Sequence, residues 1–129
     1  MADDRKNVKI LLVEDDAFLA GVYATKFELE GFSVLLASDG EQGLKMAEKH
    51  VPDLVLLDIL MPKMDGFEML HRIKLDPKLE HIPVVMLTNL GQKEDVERCL
   101  KDGAADYLIK AHFVPGEAVK KVKRILNLK

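Results

Sequence analysis

"DLVLLDILMPKMDG", residues 53–66, sets the question of the fold. Leu54, Val55, Leu56 and Leu57 form an unbroken apolar run, too short for a typical helix and free of polar alternation. Such a run suits a strand covered on both faces, as in a parallel sheet. It ends in Asp58, and a Pro- and Gly-containing loop follows. A carboxylate at the mouth of a dry core is costly unless a cation or hydrogen-bond donors meet it. The rest of the sequence must therefore supply the partner.

Four more apolar runs flank this one: Ile10–Val13, Val34–Ala37, Val84–Leu87 and Tyr107–Ile109. Helical spacings lie between and after them. Leu19, Val22, Tyr23 and Phe27 share one face, as do Leu44, Ala47 and Val51. Phe67, Leu70 and Ile73 make a third set, Val96, Cys99 and Leu100 a fourth, and Ala118, Val119, Val122, Ile125 and Leu126 a fifth. Asp16, Asp39 and Asp65 stand where helix N-caps belong, and Gly31 and Gly103 where helices end. Pro115 suits a first helical turn. The pattern predicts an α/β protein: a doubly wound (βα)5 unit with a five-stranded parallel sheet and right-handed crossovers.

The bulk numbers are consistent with this. At 129 residues, with 48% hydrophobic and 32% charged residues, the chain is expected to form one globular domain over residues 1–129. Its core should span roughly residues 7–128, with no output domain attached. A net charge of −3 disfavours direct nucleic-acid binding and anionic membranes. The single cysteine, Cys99, excludes an internal disulfide. No signal-peptide pattern and no apolar run near the ~20 residues of a membrane helix is present, so a cytoplasmic location is expected.

In an open parallel sheet, ligands bind beyond the carboxyl ends of the strands. Those ends read Glu14-Asp15-Asp16, Ser38, Asp58, Thr88 and Lys110. One of the three consecutive acids, Asp16, is needed as a cap, and Ser38 reads as structural. A lone Thr or Lys at a strand end is usually a strand residue or a solvated charge; four charged or reactive ends on one edge make a site. Clustered carboxylates without His or Cys favour a hard cation, Mg²⁺ or Mn²⁺. A metal, a lysine and a hydroxyl can together hold the oxygens of a transferring phosphoryl group, with Asp58 as nucleophile.

The motifs "ILLVEDD", "DLVLLDILMPKMDG", "PVVMLTN" and "GAADYLIK", spread over the whole chain, strongly resemble the receiver domain of two-component response regulators. The resemblance implies a flavodoxin-like fold with strand order 2-1-3-4-5. It implies that Asp58 accepts a phosphoryl group from the phosphohistidine of a sensor histidine kinase or a histidine phosphotransfer protein. Glu14, Asp15, Asp58 and the backbone carbonyl of Leu60 would hold Mg²⁺. Thr88 would hydrogen-bond the phosphoryl group and Lys110 would pair with it. Thr88 and Tyr107 would form the switch. Such a domain catalyses only its own phosphorylation and dephosphorylation. It acts through a downstream protein, a relay or a phosphorylation-dependent dimer, with the fourth helix, fifth strand and fifth helix as the output surface.

Two positions depart from the family pattern: Ala111 stands where proline is usual, and Asn89 where a small residue is common. Leu60 and Leu90 flank the expected water approach without a hydrogen-bonding group, which predicts a long-lived phosphoryl state. Because a non-proline cis bond costs roughly 2.5–4 kcal/mol, the Lys110–Ala111 bond is expected to be trans. Rival readings are weaker. An aspartyl-phosphate phosphatase of the haloacid-dehalogenase type would carry a second Asp at Leu60. A flavodoxin-type cofactor binder would have a hydroxyl- and glycine-rich loop in place of Glu14-Asp15-Asp16. A pseudo-receiver that only binds partners would not need the full set of acids, Thr and Lys.

Overall fold

The computed structural model describes residues 8–89, 92–110 and 115–128. Among these, strands and helices alternate strictly: β1 (Lys9–Val13), α1 (Ala17–Leu29), β2 (Ser33–Ala37), α2 (Gly40–His50), β3 (Leu54–Asp58), α3 (Gly66–Leu75), β4 (Val84–Thr88), α4 (Lys93–Lys101), β5 (Asp106–Ile109) and α5 (Pro115–Ile125). All strand pairs are parallel, and the order is β2-β1-β3-β4-β5. This is the flavodoxin-like arrangement. The chain runs outward in one direction from β1 to β2 and in the other from β3 to β5, so the topological switch lies between β1 and β3.

The absence of polar alternation in the central strands has a direct cause. Leu11, Val13, Val55, Leu57, Val84 and Met86 pack on one side with Ala47 of α2, Met69, Leu70 and Ile73 of α3, and Cys99 of α4. Their neighbours Ile10, Leu12, Leu54, Leu56, Val85 and Leu87 pack on the other with Tyr23 and Phe27 of α1 and Ala118, Val119 and Val122 of α5. Successive side chains point to opposite faces, and both faces are covered. The two edge strands differ. β2 and β5 are only partly buried, with Leu36 47% and Tyr107 36% exposed, because each has a neighbour on one side alone.

All three expected aspartate caps are present. Asp16, Asp39 and Asp65 accept hydrogen bonds from the N–H groups of Leu19, Gln42 and Glu68 at 3.1, 2.8 and 3.0 Å. Each satisfies a helix-end donor that would otherwise lack a partner, a contribution of about 1 kcal/mol. Gly31 and Gly103 follow their helices with φ of 94° and 109°, where a side chain would be strained. Two expected core positions fall elsewhere. Val51 closes α2 in the left-handed region with φ 44° and is 43% exposed, since the following Pro52 ends the helix. Leu100 is 41% exposed at the edge of the α4 stripe, where Val96 and Cys99 face inward. No helix among the described residues is long and apolar enough to cross a membrane.

The loop after β3 explains the rest of the opening motif. Gly66 begins α3, and its N–H donates to the Ile59 carbonyl at 2.8 Å. A Cβ there would collide with the Asp58 carbonyl oxygen and the Ile59 Cα, so only glycine lets α3 start this close to the strand end. Gly40 is constrained in the same way against the backbone of Met64, which it also bonds at 3.1 Å. The loop that follows Asp58 is thus clamped between α2 and α3.

Two outcomes are expected. Gly66→Ala should lose about 1–3 kcal/mol of stability in chemical denaturation, despite alanine's better helix propensity, because backbone rather than a flexible side chain must move. An unchanged midpoint would show that the close approach is tolerant. Cys99 is fully buried, and burial, with Asp102 adding to it, pushes its thiol up to about 11. At mildly alkaline pH an aromatic disulfide reagent should label it about a hundredfold more slowly in the native protein than in denaturant. Equal rates would mean that α4 opens readily.

Candidate functional site

Strand register builds the site. Val13 pairs with Leu57, so Glu14 and Asp58 emerge side by side from β1 and β3 at the topological switch. Asp58 pairs with Leu87 and Thr88 with Ile109, which brings Thr88 and Lys110 to the same carboxyl edge. Glu14, Asp58 and Thr88 are the buried polar residues of the described chain, at 2%, 3% and 2% exposure. The partner demanded by the opening motif is Lys110. Its Nζ donates to Asp58 Oδ2 at 2.8 Å and lies 2.6 Å from Glu14 Oε1.

The contact with Glu14 is a short ion pair. Oε1 is buried and takes the Lys110 ammonium as its counter-ion. The other oxygen, Oε2, accepts from the Asp16 N–H at 3.1 Å. Burial pushes the Glu14 carboxyl up to about 7; Lys110 and the Asp16 N–H oppose the shift, and nearby Asp58 adds to it. Burial pulls the Lys110 ammonium down, but Asp58 and Glu14 together outweigh it and hold the lysine above its ordinary range. One ammonium thus serves two buried carboxylates.

A third acid completes the cluster. One oxygen each from Glu14, Asp15 and Asp58 lie within 4.8 Å of one another, with Asp15 exposed and the other two buried. The donor set is all oxygen, and negative charge exceeds positive. These residues fit a hard divalent cation. Asp58 Oδ1 receives a long contact of 3.4 Å from the Leu60 N–H, and the Leu60 side chain is 55% exposed beside it.

Thr88 and Tyr107 lie to one side of the acids. The Thr88 hydroxyl donates to Gln92 Oε1 at 2.9 Å, with the Asn89 carbonyl as a longer alternative at 3.2 Å. Tyr107 lines a cleft of about 360 Å³ with Thr88, Gln92, Val96, Leu100 and Ile109, between β4, α4 and β5. The Lys121 ammonium sits 5.5 Å from the Tyr107 ring centroid and donates to the Tyr107 carbonyl at 2.8 Å. On α4, the exposed Arg98 stacks 4.0 Å over the Phe67 ring of α3. Ser38 is structural, bonded to the Gln42 side chain through both its N–H and its hydroxyl. Leu90, Ala111 and the Lys110–Ala111 bond lie outside the described residues. Gln92 was not legible in the sequence. It stands four residues beyond Thr88, and nothing in the sequence pattern marks it as that residue's partner.

Comparison with known proteins agrees with this geometry. Residues 10–123 match the response regulator receiver domain family. The chain is 37% identical over 119 residues to a probable transcriptional regulator, ycf27, of Guillardia theta, covering 92% of this chain and 45% of that protein. It is 38% identical over 121 residues to the alkaline phosphatase synthesis transcriptional regulatory protein PhoP of Bacillus subtilis, covering 94% and 49%. The chain therefore spans about half the length of these curated relatives. Among solved structures, a putative response regulator from Chloroflexus aurantiacus superposes with a TM-score of 0.88 at 33% identity, covering 93% of this chain and 98% of that one. The chemotaxis response regulator CheY4 of Vibrio cholerae gives 0.85 at 28%, covering 92% and 98%. With its sheet order, its acidic edge and a family match across nearly its whole length, the chain belongs to the response regulator receiver domains.

Proposed function

We propose that Asp58 is the phosphoacceptor of a two-component or phosphorelay pathway, with a sensor histidine kinase or a histidine phosphotransfer protein as donor. The observation that carries this reading is the buried Asp58 carboxylate, held by Lys110 at 2.8 Å beside the Glu14–Asp15 pair. A carboxylate oxygen of Asp58 attacks phosphorus. The phosphorus–nitrogen bond of the donor phosphohistidine breaks, and the imidazole leaves with its electron pair and takes up a proton.

Lys110 holds Asp58 in place and, after transfer, offers its positive charge to the phosphoryl oxygens. Glu14 and Asp15, with Asp58 and the Leu60 carbonyl, would hold Mg²⁺, which supplies charge neutralisation between the acids and the incoming phosphoryl group. Thr88 then turns to donate its hydroxyl to a phosphoryl oxygen, and Tyr107 moves into the cleft beneath α4. The surface of α4, β5 and α5 carries the change to a downstream protein, to the next relay member or to a second copy of the chain. Leu60, exposed beside Asp58 and without a hydrogen-bonding side-chain group, supports slow hydrolysis.

Acetyl phosphate with Mg²⁺, followed by intact-mass measurement, tests the reading. Wild type should gain one phosphoryl group, and Asp58→Asn should gain none. Chelation of the metal should abolish the gain in wild type. Equal labelling of the asparagine variant would remove Asp58 from the mechanism.

A further inference from the structure

Gln92 is the N-cap residue of α4, yet its side chain makes no capping bond to its own helix. Its carboxamide is committed to the end of β4 instead. Oε1 accepts from the Asn89 N–H at 2.6 Å and from the Thr88 hydroxyl at 2.9 Å, while Nε2 donates to Asp95 Oδ2 at 3.3 Å. The orientation of this amide is fixed by chemistry. The Asn89 N–H can only donate and the Asp95 carboxylate accepts, so oxygen must face Asn89 and nitrogen must face Asp95. The Thr88 hydroxyl, meeting an oxygen that has no proton to give, must then be the donor. Thr88 has one hydroxyl proton, and its shortest bond is to Gln92.

We propose that Gln92 is a positioning residue that latches the receiver in its resting state by occupying the hydroxyl proton of Thr88. The inference rests on the function proposed above, in which Thr88 must donate to a phosphoryl oxygen at Asp58. That donation cannot form until the bond to Gln92 is released. The release is inexpensive, because Gln92 Oε1 keeps the Asn89 N–H and no buried acceptor is stranded. Gln92 is also the N-cap residue of α4, and its amide nitrogen holds Asp95 in the first turn of that helix. The latch therefore connects the phosphorylation site to the output surface through one side chain. A ligand that requires the released state has its apparent Kd raised by the reciprocal of the released fraction.

The test is calorimetric titration with beryllofluoride, a phosphoryl mimic, in the presence of Mg²⁺. The proteins are the wild type, Gln92→Met and Gln92→Glu. Methionine keeps the length and loses the acceptor; glutamate keeps an acceptor oxygen for both Thr88 and Asn89. One net hydrogen bond corresponds to about a three- to tenfold change in affinity. Gln92→Met should bind about three- to tenfold more tightly than wild type, and Gln92→Glu should not gain. In a Thr88→Ala background, the Gln92→Met change should add nothing, since there is no hydroxyl to release. Unchanged or weaker binding by Gln92→Met, or the same gain in the Thr88→Ala background, would overturn the latch. If the wild type itself fails to bind beryllofluoride, the failure lies in the receiver reading of the site, and the latch falls with it.

Discussion

The pairing of one ammonium with two buried carboxylates organises the functional end of this domain. Lys110 reaches across from the end of β5 to Asp58 at the end of β3 and Glu14 at the end of β1. Without a cation there, two carboxylates at a dry strand edge would repel each other and one would take up a proton. Burial already drives Glu14 in that direction. An arrangement so short of positive charge is poor design for stability alone. It is well suited to receiving a divalent cation and a phosphoryl group, whose charges are opposite and whose arrival the same three acids and one lysine can balance.

Much of the fold was legible because the core imposes it on composition. β1, β3 and β4 read as uninterrupted apolar runs since helices cover both faces of the sheet. The aspartate caps and the glycines after α1 and α4 were readable because local backbone geometry requires those residue types. Partial burial of β2 and β5 was not readable, since an apolar run does not report whether a strand has one neighbour or two. The exposed, left-handed Val51 escaped for a similar reason: helical spacing continues through it, and only the backbone terminates there.

For the site, legibility followed the strands. Glu14, Asp58, Thr88 and Lys110 each stand directly at or after a strand end, and parallel register carries them to one edge. Gln92 lies in no such relation to the sheet. A glutamine before a helix gives no sign of bonding back to the preceding strand. The clamp at Gly66 was half legible: Asp65 as a cap announced a helix start, but not that a Cβ on the next residue would strike the carbonyl of Asp58 itself. The residues of the acidic edge were thus easier to read than the side chains that contact them.

The central claim is that Lys110 and a divalent cation share the work of balancing Glu14 and Asp58. Urea denaturation of wild type and Lys110→Met, each with and without Mg²⁺, measures this directly. Methionine keeps the aliphatic stem and removes the charge. Breaking a buried ion pair from one side costs about 3–5 kcal/mol, and the partial opening of this edge to solvent places the loss at or below the lower end. The account predicts that metal-free Lys110→Met is less stable than wild type and that Mg²⁺ stabilises it by more than it stabilises wild type. Equal stability without metal, together with an equal response to Mg²⁺, would contradict it.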